Sequence, residues 1–69
     1  MMKLYGNGCT YCKVLKAKLD EKGLTYEVIG DMDEIGRVAM KHNIRSMPIL
    51  EVDGVVMDYR TALEYVKGV

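Results

Sequence analysis

The chain has no tryptophan and no phenylalanine, a single proline, a single histidine and only two cysteines among 69 residues. Without the two bulkiest apolar aromatics, its core must be built from Leu, Ile, Val and Met with help from the five tyrosines. Charge of one sign is also missing. Ten Lys and Arg balance ten Asp and Glu, so bulk electrostatics points to neither nucleic acid nor an anionic membrane surface as a partner. No apolar run approaches the roughly 18 residues that cross a bilayer. The opening Met1-Met2-Lys3-Leu4-Tyr5-Gly6 lacks an apolar segment of signal-peptide length, and the expected location is the cytoplasm. Linkers, repeats and low-complexity stretches are absent as well. The expectation is one domain over residues 1–69 and, by default, a monomer, with a core near the lower size limit for independent folding.

What is present is a regular alternation of short periodic elements and turn residues. Residues 1–5 read as a strand broken by Gly6-Asn7-Gly8. A helix follows from about Cys9, with Cys12, Leu15 and Leu19 on one face and Lys13, Lys16 and Lys18 pointing away. Gly23 is a left-handed helix stop, and Leu24 can supply its apolar contact. Residues 25–29 read as a second strand. Asp31 or Asp33 caps a second helix whose buried stripe is Ile35, Val38 and Ala39, weakened by Gly36 and ended near Asn43. Residues 49–52 and 55–57 form a hairpin about Asp53-Gly54, since both turn positions accept positive φ. Asp58 caps a last helix with Tyr59, Ala62, Leu63 and Val66 on its apolar face. The order β-α-β-α-β-β-α predicts an α/β fold with a four-stranded mixed sheet flanked by three helices.

Cys9-Thr10-Tyr11-Cys12 falls where the first strand gives way to the first helix. Unpaired N–H groups and the macrodipole at a helix start favour a thiolate. Cys9, before the first turn, is the expected exposed nucleophile. Cys12, inside that turn on the buried stripe, is the expected resolving thiol. In a reducing compartment such a pair is catalytic or metal-binding rather than a structural staple. Other chemistries use the same spacing. Half of a tetrahedral zinc site would need further ligands, and His42 is the one other obvious donor. Cu(I) also favours paired thiolates, but small copper chaperones usually carry a Met two residues before the first cysteine and end in a strand, whereas this chain has Asn7 there and reads as ending in a helix. A regulatory disulfide sensor is a third use of the pair. His42 itself reads as a helix-end residue, and most of the six methionines as core filler. Tyr59 and Tyr65 read as partial core, and Tyr5 as a neighbour of the redox loop.

Pro48 opens the third strand, inside Asn43-Ile44-Arg45-Ser46-Met47-Pro48. Together with the cysteine motif and the element order, this segment resembles the thioredoxin superfamily over nearly the full length. The similarity is greatest to glutaredoxins and to the glutaredoxin-like redoxins that reduce ribonucleotide reductase. The resemblance implies a minimal thioredoxin fold and a thiol-disulfide oxidoreductase that reduces protein disulfides. It makes Pro48 a cis-proline lying against the cysteines, and it has the Met47 backbone pair with an extended substrate. Tyr11 matches the tyrosine of the glutaredoxin Cys-Pro-Tyr-Cys motif, whereas Thr10 replaces its proline. Thr10, Tyr11, Met47, Pro48 and Asp58 are the implied substrate-binding residues. Thioredoxin's Trp is replaced by Gly8, and its buried Asp by Lys3. The glutaredoxin Lys before the motif and the Gly pair after strand four are absent too. Residues 57–60 read Met57-Asp58-Tyr59-Arg60, leaving Asp58 or the helix start to meet a ligand's charged end. No bound cofactor or metal is implied. The electron donor is glutathione or a thioredoxin-reductase-type flavoenzyme, and the oxidant a disulfide-containing protein.

Overall fold

The computed structural model describes residues 1–69. Its elements are β1 (Met2–Tyr5), α1 (Thr10–Glu21), β2 (Tyr26–Ile29), α2 (Met32–Lys41), β3 (Ile49–Val52), β4 (Val55–Met57) and α3 (Tyr59–Lys67). The strands form one sheet in the order β2-β1-β3-β4. β1 runs parallel to β2 and antiparallel to β3, and β3 pairs antiparallel with β4. This is the mixed sheet expected from the sequence, with the thioredoxin-like arrangement of three helices around it.

Local chemistry explains where each element stops. α1 ends with Gly23 at φ 68°. The Gly23 N–H donates to the Asp20 carbonyl and the Leu24 N–H to the Leu19 carbonyl, at 3.0 and 3.1 Å. That is the Schellman pattern, and Leu24 packs back on the core as the motif requires. α2 ends the same way, with Asn43 at φ 56° and the Ile44 N–H donating to the Ala39 carbonyl at 2.8 Å. Of the two candidate caps for α2, Asp31 is the one used, accepting from the Asp33 N–H at 3.0 Å. Asp53 and Gly54 take φ of 49° and 86° in the hairpin turn.

Strand alternation divides the core in two. Leu4, Leu50 and Met57 face α1 and α3 and join Leu15, Leu19, Ala62 and Val66 in the larger cluster. Tyr5 and Ile49 face the other way and meet Ile35 of α2, with Ile29, Val38, Ala39, Ile44 and Met47 around them. Within the expected α2 stripe only Ile35 is fully buried.

Tyr5, expected near the active site, turns its side chain to the α2 face, where Met47 packs against its cluster. Its ring is buried on the α2 face, and its hydroxyl donates to Glu51 Oε1 at 3.3 Å. A strand sends neighbouring side chains to opposite faces, and Leu4 takes the α1 face. One expectation fails here: the methionines are not mainly core. Met57 alone is buried, while Met1, Met32 and Met40 are exposed: Met1 is terminal, Met40 lies away from the Ile35 stripe, and Met32, one turn before Ile35, lines a surface groove with Ile35, Gly36 and Ala39.

Candidate functional site

The site forms where the ends of several elements meet. Cys9 is the N-cap of α1, in extended conformation with φ −65° and ψ 169°. Cys12 lies in the first turn and is disulfide-bonded to Cys9, with 5.0 Å between the Cα atoms. The Cys12 N–H donates to Cys9 Sγ at 3.3 Å. Cys9 thus does with sulfur what Ser or Asp does at an ordinary helix start, and receives one of the orphan N–H donors there. It is half-buried, whereas Cys12 is only 5% exposed.

The burial of Cys12 depends on Gly6. A Cβ placed on Gly6 would stand 2.6 Å from Cys12 Sγ and 3.2 Å from Cys12 Cβ, and 3.7 Å from Pro48 Cβ. Gly6 therefore lets the redox turn lie flush against the end of β1 and brings Pro48 to the same spot. Pro48 is itself fully buried, and the Met47–Pro48 peptide is cis.

Around this centre the other expected residues are placed as follows. Thr10 is the exposed first residue of α1. Tyr11 is 59% exposed and rests on Tyr59, with ring centroids 4.9 Å apart and planes inclined by 35°. This tilted pairing lies within the range aromatic rings prefer. It brings the start of α3 to the cysteine loop. Asp58 immediately precedes it and is first of all a helix cap: its Oδ1 accepts from the Thr61 N–H at 2.8 Å. That hydrogen bond, with a smaller contribution from the Arg60 charge, lowers the Asp58 pKa below its ordinary value. Met47 is half-buried and forms one wall of an apolar groove of about 210 Å³ with Ile35, Ala39 and Ile44, with Arg45 at its edge. His42 lies outside the site, as the exposed C-cap of α2.

Sequence reasoning overlooked two participants. Gly6 read only as a strand breaker, and nothing local marks it as the surface on which Cys12 rests. Tyr59 read as partial core. Its position next to a cap residue signals a helix start, but not that this start faces the cysteines. No group of three or more His, Cys, Asp or Glu side chains converges anywhere, so a tetrahedral zinc centre at the pair would draw ligands from a second chain.

The arrangement is a half-buried cysteine capping a helix start and a buried partner bonded to it, with an aromatic pair at Tyr11 and an apolar groove at Met47, next to Pro48. Comparison with known proteins agrees with it. The family described as Glutaredoxin matches residues 1–57. No curated protein matches the chain. Among solved structures, a Nu-class GST from Haemonchus contortus superposes with a TM-score of 0.72 at 20% identity. The match covers 99% of this chain and 36% of that one, so this chain spans little more than a third of the larger protein. At that identity the likeness is one of fold.

Proposed function

Because the chain belongs to the glutaredoxin family and joins Cys9 to Cys12 at a helix start, its chemistry is thiol-disulfide exchange, and we propose that it reduces disulfides in protein substrates. The observation that carries this reading is the unequal setting of the two sulfurs. In the reduced protein a Cys9 thiolate would keep the Cys12 N–H and gain from the dipole of α1, both of which favour the anion. The Cys9 thiolate attacks a substrate disulfide, forming a mixed disulfide and expelling one substrate thiolate. The Cys12 thiolate then attacks Cys9 Sγ, closing the internal disulfide and releasing the second substrate thiolate. Two electrons pass from the cysteine pair to the substrate, and the released thiolates take protons from water. Shelter of Cys12 keeps foreign disulfides from reacting there first.

Thr10, Tyr11 and the Met47–Pro48 segment form the docking edge in this proposal. An extended peptide pairs with the Met47 backbone in the manner of an added strand, with its side chains resting on the Tyr11–Tyr59 pair or in the groove beside Met47. Asp58 is ionised through the neutral range as any ordinary Asp is, and its bond from the Thr61 N–H holds its pKa lower still. Its free carboxylate capacity suits an ammonium group, such as that of glutathione serving as the donor. A flavoenzyme reductase is the other donor of the proposal. The 69 residues act as one domain in this scheme, in the cytoplasm and as a monomer.

Replacing Cys9 by Ser is expected to abolish reduction of a protein disulfide. The Cys12→Ser variant should accumulate a mixed disulfide on Cys9, read by intact mass. A Cys12→Ser protein that turned over protein disulfides at the full rate would overturn the two-thiol scheme. Equilibration with glutathione buffers then separates the donors, since a glutathione adduct on Cys9 favours glutathione and its absence favours a reductase.

A further inference from the structure

Cys12 poses a difficulty that Cys9 does not. The resolving step needs its thiolate, yet burial disfavours a charged sulfur. Its surroundings supply no compensating group on the sheet side: Leu4, Gly6 and Pro48 are all uncharged. One cavity reaches it. This space of about 160 Å³ lies between α1 and the β1–β2 edge, with Leu4 and Val28 among its walls, and Cys12, Lys13 and Lys16 also line it. It has room for several waters.

The charged groups around that cavity are easily enumerated. Lys13 and Lys16 are its only charged lining residues. Cys12 and Lys16 are one helical turn apart, and side chains at that spacing lie on one face and lean toward the helix N-terminus. The next residue in the row is Asp20, whose Oδ2 is 3.9 Å from Lys16 Nζ. Its Oδ1 accepts from the Tyr26 hydroxyl at 2.6 Å. The Tyr26 pKa is pushed up to about 12, first by burial and then by the bond to Asp20, so this anchor persists through any ordinary assay range. On β1, Lys3 and Tyr5 alternate with Leu4 and so face away. On β2, Glu27 faces away from Val28. On α3, Asp58 is bound to its own helix start, and Arg60 is exposed.

We propose that Lys16, steadied by Asp20 and assisted by Lys13, is a positioning residue for the resolving step, presenting positive charge across the cavity to the Cys12 sulfur as it becomes a thiolate. The inference rests on the two-thiol reading above. In the step itself the Cys12 thiol gives its proton to cavity water. The thiolate attacks Cys9 Sγ, the new Cys9–Cys12 bond forms, and the bond from Cys9 to the outgoing sulfur breaks. That sulfur leaves as a thiolate with the electron pair.

A neutral aromatic disulfide, 2,2′-dipyridyl disulfide, tests this by stopped-flow absorbance. Attack by Cys9 releases one thiopyridone in a phase that depends on reagent concentration. Resolution by Cys12 releases the second in a first-order phase. Lys16→Gln is expected to slow the second phase at neutral pH by about threefold to tenfold, the effect of up to one unit in the thiol's titration, and to move its pH midpoint upward. The first phase should change less. Lys13→Gln should add to the shift in the double variant, Lys16→Arg should restore the midpoint, and Lys18→Gln, on the same helix but away from the cavity, should leave it in place. Lys13 and Lys16 are exposed, so these proteins are expected to fold. An unmoved second-phase midpoint in the Lys13→Gln, Lys16→Gln double variant would overturn the role of the lysines. Loss of the second phase in the unmodified protein would instead overturn the two-thiol scheme on which it rests.

Discussion

Gly6 shows how one missing side chain can decide a site. Its role is steric: the Cys12 sulfur occupies the space where a Cβ would project. A methyl group there meets a sulfur held in a disulfide, not the free end of a flexible chain. Gly6→Ala is therefore expected to cost about 1–3 kcal/mol, the usual range for overpacking, as measured by chemical denaturation of the oxidised protein. A variant as stable as the parent would mean that the redox turn lifts away from β1 at no cost. Residue-scale facts of this kind were the least legible in the sequence. The cysteine motif and Pro48 could be found by pattern, but the Gly6–Cys12 and Tyr11–Tyr59 contacts join residues from different elements. Their pairing depends on how α1 and α3 settle on the sheet. The face taken by Tyr5 was hidden for a related reason: Leu4 and Tyr5 are both apolar, so alternation alone could not say which of them faces α1.

At the scale of elements, legibility was high because the helix ends carry their own instructions. Gly23, Asn43, Asp53-Gly54 and the capping aspartates each act within a few residues, through positive φ or a side-chain bond to a nearby N–H. Asp58 is the cap with a functional consequence, because α3 begins beside Tyr11. Removing it in Asp58→Ala should destabilise the protein by about 1 kcal/mol, while Asp58→Asn should retain most of the cap. The pH dependence has a definite sign. A carboxyl whose folded pKa lies below its unfolded value of 3.8 contributes stability above that value and loses it as pH falls through the folded pKa. Thermal melts from neutral pH into acid should therefore show the parent losing an increment that Asp58→Asn does not lose. Parallel acid profiles for the two proteins would show that the charge of Asp58 contributes nothing to the cap.

Across the whole molecule, the two faces of the sheet are unequally secured. Seven buried residues hold α1 and α3, including Leu15, Leu19 and Val66 with no exposure at all. Three buried residues make up the cluster on the α2 face, with Ile35 the one contribution from α2. Protection from local opening follows buried apolar contact. The amides of α2 are thus expected to exchange hydrogen before the central amides of α1, with the difference growing in mild denaturant. Equal protection in the two helices would contradict this. The asymmetry bears on function, since α2 borders the groove beside Met47 while α1 carries the cysteines. The reacting sulfurs and Tyr11 stand on the better-secured side and Met47 on the other, so the proposed docking edge has one firm and one yielding wall, which suits a carrier that meets disulfides of differing shape.

The Tyr11–Tyr59 pair has one further consequence, and it is optical. With no tryptophan in the chain, the ultraviolet emission comes from five tyrosines, and one of them lies between the two cysteines. A disulfide quenches a neighbouring phenol far more strongly than two thiols do. Opening the Cys9–Cys12 bond should therefore brighten the emission of Tyr11, with Tyr11→Phe removing most of the change. The protein would then report its own oxidation state in real time, without a label.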